Sequence, residues 1–202
     1  MLALFGKLPA RRDFIARGVP NPVLEQIEPW LQEAMAQSKA TLGTTWLDAY
    51  LGAPLWRFWW SASVAGSGAA GVLMPSVDKV GRYFPLLALD LAPHGRDFAA
   101  PRPDHERWFA AVEAALLSAL SHEATLDALL DRLAAIPAGL AGSVEAPVDG
   151  SLWWTLGGEG HAPRREAFAG LPPPTAFAAL LAGPAPAVPT VAADGPTKAL
   201  PQ

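Results

Sequence analysis

The chain has 202 residues, close to the upper size of one ordinary domain and too short for two good-sized ones. It is 51% apolar and 17% charged, the reverse of the balance that keeps a chain unfolded, and its net charge of −4 offers no general attraction for nucleic acid or anionic lipid. There is no cysteine, which excludes a disulfide framework, a thiolate nucleophile and any Cys-ligated metal centre.

Leu2–Leu8 reads as a short strand ending at Pro9, followed by a charged turn through Arg11, Arg12 and Asp13. Asn21-Pro22 predicts a helix start, with an N-cap side chain and proline at the first helical position. Leu24, Ile27, Leu31 and Met35 recur at helical spacing behind it, and Pro29 inside the stripe predicts a kink or a restart before Trp30. Thr45–Leu51 fits a second short helix, closed by Gly52 and Pro54. Leu55–Val64 reads as a buried strand and Ala65–Ala70 as its turn. Gly71–Val77 and Tyr83–Leu91 follow as strands, with Pro75 and Pro85 confining their pairing to edges or bulges.

Pro103-Asp104 opens a helix carrying Trp108, Val112, Leu116 and Leu120. Thr125 caps another, with Leu126, Leu129, Leu130 and Leu133 on one side and Pro137 past its end. Ser151–Leu156 is expected as the last strand and Thr175–Leu181 as a final helix. From Gly183 the periodicity gives way to Pro, Ala and Gly, so the expectation is one domain over residues 1–182 and a flexible tail over 183–202. Trp59-Trp60 and Trp153-Trp154 are adjacent pairs on presumed strands, so one member of each pair points to either face of the sheet. The expected class is therefore α/β: a three-layer α/β/α sandwich whose single mixed sheet has about five strands and helices on both faces. Met1–Phe5 lacks the features of a signal peptide and no apolar run reaches spanning length, which points to the cytoplasm.

Gly66-Ser67-Gly68-Ala69-Ala70-Gly71 matches G-x-G-x-x-G, but the residues that follow form a β-type run ending at Pro75 rather than a phosphate-binding helix, so a hairpin loop is the better account. His94, His105, His122 and His161 fall into no metal-ligand spacing, and no Gly-x-Ser-x-Gly elbow supports a Ser–His–Asp triad. No metal and no cofactor is expected. Two charged loops remain, one through Lys7 and Asp13, the other through Ser76, Asp78, Lys79 and Arg82. In one reading Lys7, Asp13, Asp78, Lys79 and Arg82 cross-link the two loops by salt bridges and backbone hydrogen bonds. In the other, Lys7, Ser76, Lys79 and Arg82 build an anion or partner site, which as an anion site would hold a phosphate-bearing ligand for sensing or catalysis. The first is favoured because loops need such fasteners and a paired arginine is not available to a ligand.

Phe5-Gly6-Lys7-Leu8-Pro9 with Asp13-Phe14, Trp46-Leu47-Asp48-Ala49-Tyr50-Leu51 and Trp56-Arg57-Phe58 resemble the TagF (ImpM) family of type VI secretion accessory proteins. Gly71–Asp78 with Val80–Leu86 is similar to that family's most recognisable stretch, and Ser151-Leu152-Trp153-Trp154 and Gly170-Leu171-Pro172 before Phe177 to its closing elements. One departure is Arg12, which stands where the family pattern has glycine before the Asp-Phe pair. The resemblance implies an α/β/α fold and a bacterial cytoplasmic protein that is not an enzyme. It implies a restraint on type VI secretion after translation, by binding a forkhead-associated scaffold protein or another component of the apparatus. Lys7, Asp13, Ser76, Asp78, Lys79 and Arg82 are then the candidate partner-binding or loop-fastening residues.

Overall fold

The computed structural model describes residues 2–98, 105–121, 124–137 and 149–183. The Pro103-Asp104 helix start and residues 184–202 of the expected tail lie outside them. Seven strands form one sheet: β1 (Ala3–Gly6), β2 (Ile15–Arg17), β3 (Trp56–Trp60), β4 (Ala69–Met74), β5 (Leu86–Leu91), β6 (Ser151–Thr155) and β7 (Arg164–Phe168). Their order across the sheet is β2-β1-β5-β4-β3-β6-β7, and every neighbouring pair is antiparallel. The expectation of a mixed sheet of about five strands is thus corrected. The two additional strands are the edges: β2 has three residues, and the alternation of β7 is built from Arg164, Arg165 and Glu166, which gives little apolar signal.

β4 and β5 are interior strands, not edges. Pro75 and Pro85 stand just outside them and remove no ladder hydrogen bond from the pair. The strand expected to run through to Val64 stops at Trp60 and gives way to a single helical turn, α3 (Ala62–Ala65). The glycine-rich run that follows closes the β3–β4 hairpin, as expected.

The first long helix, α1 (Asn21–Leu42), continues through Pro29 without a restart. Pro29 and Glu25, whose carbonyl loses its helical donor, both lie on the exposed side, where water can serve that carbonyl. Asn21 is the first helical residue rather than a side-chain cap; the Val23 and Leu24 N–H groups donate to the Pro20 carbonyl. Beyond it come α2 (Trp46–Gly52), α4 (Glu106–Ser118), α5 (Leu126–Ala134) and α6 (Phe177–Ala182). Thr125 caps α5 by accepting from the Ala128 N–H at 3.1 Å, while Leu120 falls beyond the end of α4 and is exposed.

Strand alternation divides the interior into two apolar clusters. Phe5, Trp56, Phe58, Trp60 and Trp153 pack with Ile27, Trp30 and Leu31 of α1, Tyr50 of α2 and Phe177 of α6. Leu4, Trp59, Val72 and Ala88 pack with Trp108, Phe109 and Val112 of α4 and Leu129 of α5, and Trp154 lies against the same cluster. Each tryptophan pair is therefore split as the alternation requires. The bulk is accommodated locally: Gly71 of β4 sits where an added Cβ would come within 2.7 Å of the Phe58 ring.

A charge interrupts this interior at β3. Arg57, between Trp56 and Phe58, points towards α4 with its side chain 0% exposed. Its Nε and Nη2 donate to the two oxygens of Glu113 at 2.7 and 2.9 Å, and Nη1 reaches both oxygens of Glu106 at 2.8 and 2.7 Å. Burial disfavours the charged guanidinium, but the two carboxylates outweigh that and raise its pKa further. The pair Arg57–Glu113 thus pins α4 to β3. Glu106, with a side chain 53% exposed, should add little. Accordingly, Arg57→Ala is expected to lower the unfolding free energy by about 3–5 kcal/mol and Glu106→Ala by less than about 1 kcal/mol in urea titrations. Similar losses for the two would contradict this assignment.

Candidate functional site

The two charged loops meet at the end of the sheet where β1 and β4 finish and β5 begins. Gly6, the last residue of β1, has φ +129°, and a Cβ there would lie 2.0 Å from the Pro85 carbonyl oxygen. Only glycine lets β1 approach that closely, and the approach delivers Lys7 into the loop between β4 and β5. That loop closes on itself: the Asp78 N–H donates to the Arg82 carbonyl and the Gly81 N–H to the Asp78 carbonyl, both at 3.0 Å, with a β-bridge between Val77 and Tyr83.

Asp78 is the centre of the arrangement. One carboxylate oxygen accepts from Lys7 Nζ at 2.8 Å and Arg82 Nε at 2.6 Å; the other accepts from the Val80 and Arg82 N–H groups at 3.0 and 2.9 Å. Burial alone would raise its pKa. The Lys7 ammonium, the Arg82 N–H and guanidinium, and the Val80 N–H outweigh burial and hold the carboxyl well below the usual carboxylate range. The Arg82 guanidinium also donates to the Arg12 carbonyl, and the Lys79 N–H donates to the Arg11 carbonyl at 2.8 Å. Both bonds tie the second loop to the first.

Ser76 completes the joint. Its hydroxyl donates to the Lys7 carbonyl at 2.8 Å, its N–H donates to the Tyr50 hydroxyl at 2.9 Å, and that hydroxyl donates to the Ser76 carbonyl at 2.9 Å. Burial pushes the Tyr50 phenol up, so it stays neutral and able to donate. Phe14 lies beneath Lys7, whose Nζ is 4.9 Å from the ring centroid, and packs edge-on against Phe84.

The structure thus brings Lys7, Ser76, Asp78 and Arg82 together. It leaves the Asp13 and Lys79 side chains exposed and without partners among the described residues. Lys79 joins the loops through a backbone hydrogen bond, one of the two kinds of link expected, and Asp13 makes no link among the described residues. An oxyanion cradle from Lys7, Ser76, Lys79 and Arg82 is not assembled, because Lys7 and Arg82 face a carboxylate and the Ser76 hydroxyl is turned to a carbonyl. Tyr50 and Arg57 stand in stretches that carry the family resemblance, with no role assigned to either from sequence. The i,i+4 spacing of Trp46 and Tyr50 is a signal for the first, and a lone charge within the apolar run Leu55–Val64 is a signal for the second.

At the opposite end of the sheet a cleft of about 580 Å³ is lined in part by Ser67, Asp90 and His94. Burial raises the Asp90 carboxyl. Among the described residues no hydrogen bond joins these three side chains, and the Asp90 carboxylate accepts from the Leu91 N–H. No group of three His, Cys, Asp or Glu among the described residues could hold a metal ion, and no described helix is long and apolar enough to cross a membrane.

The TagF N-terminal domain family, described as type VI secretion system-associated, matches residues 3–136, which include both loops. The crystal structure of PA0076 from Pseudomonas aeruginosa PAO1 aligns with a TM-score of 0.80 and 32% sequence identity, over 96% of this chain and 100% of that one. No curated protein matches.

Removing one partner of the buried pair strands the other charge. Asp78→Asn is expected to lower stability by about 3 kcal/mol at neutral pH. Because the folded pKa of Asp78 lies below its unfolded value, its contribution is complete above the unfolded pKa and lost as the pH falls through it towards the folded one. The wild-type advantage over Asp78→Asn in urea unfolding should therefore shrink from about pH 5 downward. A constant difference between the two proteins down to about pH 2 would contradict the ion-pair account.

Proposed function

The chain belongs to the TagF family of type VI secretion-associated proteins, and from that membership we propose that it is a non-enzymatic negative regulator of type VI secretion. It acts in the cytoplasm after translation, by binding a forkhead-associated scaffold protein or another component of the apparatus. Its scaffold is an α/β/α sandwich whose sheet presents the two joined loops at one end.

The observation that carries this reading is the fastening itself. Lys7, Ser76, Asp78 and Arg82 satisfy one another, so their chemistry serves to hold two loops in one shape rather than to grip a small ligand. Pre-ordered loops lose little conformational freedom on binding, which favours association with another protein. The side chains around the joint stay exposed and available for contact.

In the bacterium that encodes the chain, deletion is expected to raise secretion of a type VI substrate and overproduction to lower it. The tagged chain should co-purify with the forkhead-associated scaffold. Loss of secretion on deletion, with the chain co-sedimenting with assembled apparatus, would make it a structural component and overturn the proposal.

A further inference from the structure

The joined loops carry more positive charge than their internal bonds engage. Residues 7–14 and 76–85 hold Lys7, Arg11, Arg12, Lys79 and Arg82 against Asp13 and Asp78, a net +3 in a chain of net −4, so the remainder carries −7. Lys7 faces Asp78 in the interior. Arg11, Arg12 and Lys79 are exposed, and their side chains have no partner among the described residues. The Arg82 side chain is 61% exposed even while bound to Asp78. The bonds from the Lys79 N–H to the Arg11 carbonyl and from the Arg82 guanidinium to the Arg12 carbonyl hold the two basic stretches side by side. Two exposed apolar side chains stand at the same place: Phe14, against Phe84, and Val80, whose N–H is bound to Asp78.

We infer that this rim is a docking surface for an acidic, Asp- and Glu-rich segment of a protein partner that also presents an apolar side chain to Phe14 and Val80. Charge complementarity selects the sign of the partner. Its confinement selects the class: the rest of the chain carries a net −7, which disfavours an extended polyanion such as nucleic acid or an anionic membrane, while a short acidic segment need touch only the rim. The cations with free side chains come from two separate loops, and the two nearest the centre converge on Asp78. That arrangement suits carboxylates distributed along a chain better than one phosphate group. The inference deepens the proposed function and rests on its being one of protein–protein contact.

The test measures fluorescence anisotropy with the full chain and four labelled probes. These are a short Asp/Glu-rich peptide with a central leucine, a phosphothreonine peptide of equal charge, a single-stranded oligonucleotide, and vesicles of phosphatidylserine in phosphatidylcholine. The acidic peptide is expected to bind best, and to weaken with salt. Arg11→Glu/Lys79→Glu should weaken it by about tenfold or more, and Phe14→Ser should weaken it with no change in salt dependence. Arg11 and Lys79 contribute only backbone groups to the fold, so the double variant should keep the wild-type melting temperature; Arg132→Glu on α5 is the control for a charge reversal away from the rim. No binding of the acidic peptide, equal loss with Arg132→Glu, or tighter binding of the phosphopeptide, oligonucleotide or vesicles would overturn the inference. If the double variant still captures the scaffold as wild type does, the docking surface is wrong and the proposed function stands. If even wild type captures no scaffold, that function fails, and the peptide result alone decides the rim.

Discussion

A single carboxylate held out of water shapes one end of this molecule. Asp78 is buried on a loop, and a buried charge is tolerated only when it is matched and fully hydrogen-bonded. Its four donors come from Lys7, Val80 and Arg82, so satisfying it fixes the course of its own loop and draws in the end of β1. The demands then propagate. Gly6 must be glycine because the approach of β1 to Pro85 leaves no room for a Cβ. Tyr50 of α2 must reach Ser76, which couples a helix to the same joint.

The second buried charge follows the same logic elsewhere. Arg57 lies in the most aromatic strand, and the forked geometry of its guanidinium matches the Glu113 carboxylate. Neither ion pair is needed for hydrophobic cohesion, since apolar clusters on the two faces of the sheet supply that. What the pairs supply is position. Arg57 sets where α4 rests on β3, and Asp78 sets how two loops far apart in sequence form one surface. The tryptophans add to this ordering, because Trp30, Trp56 and Trp60 each direct an indole N–H to a specific carbonyl, at Pro172, Leu180 and Ser67.

Much of the fold was legible because apolar period is a strong signal. The split of Trp59 from Trp60 and of Trp153 from Trp154 follows from strand alternation, and α1 shows its buried stripe openly. What escaped was written in weaker terms. β7 alternates with charged residues, β2 is a single short pairing, and strand direction depends on connections that local pattern does not encode. Proline marks a constraint without saying how it is met: Pro29 lies on a solvent face and α1 does not restart there, and Pro75 and Pro85 end strands rather than exile them to an edge. At the site, opposite charges in two short loops foretold a fastening through Lys7, Asp78 and Arg82. Which side chains would turn outward, Asp13 and Lys79 among them, depends on backbone geometry that a sequence of charges does not carry.

The functional account depends on the two loops acting as one rigid body, and this can be measured without a partner. A double-mutant cycle between Lys7→Met and Asp78→Asn, read by urea unfolding at neutral pH, isolates their coupling. The account predicts a coupling energy of about 2 kcal/mol or more, with the double variant more stable than the two single losses combined would allow. Strict additivity, within about 0.5 kcal/mol, would contradict it.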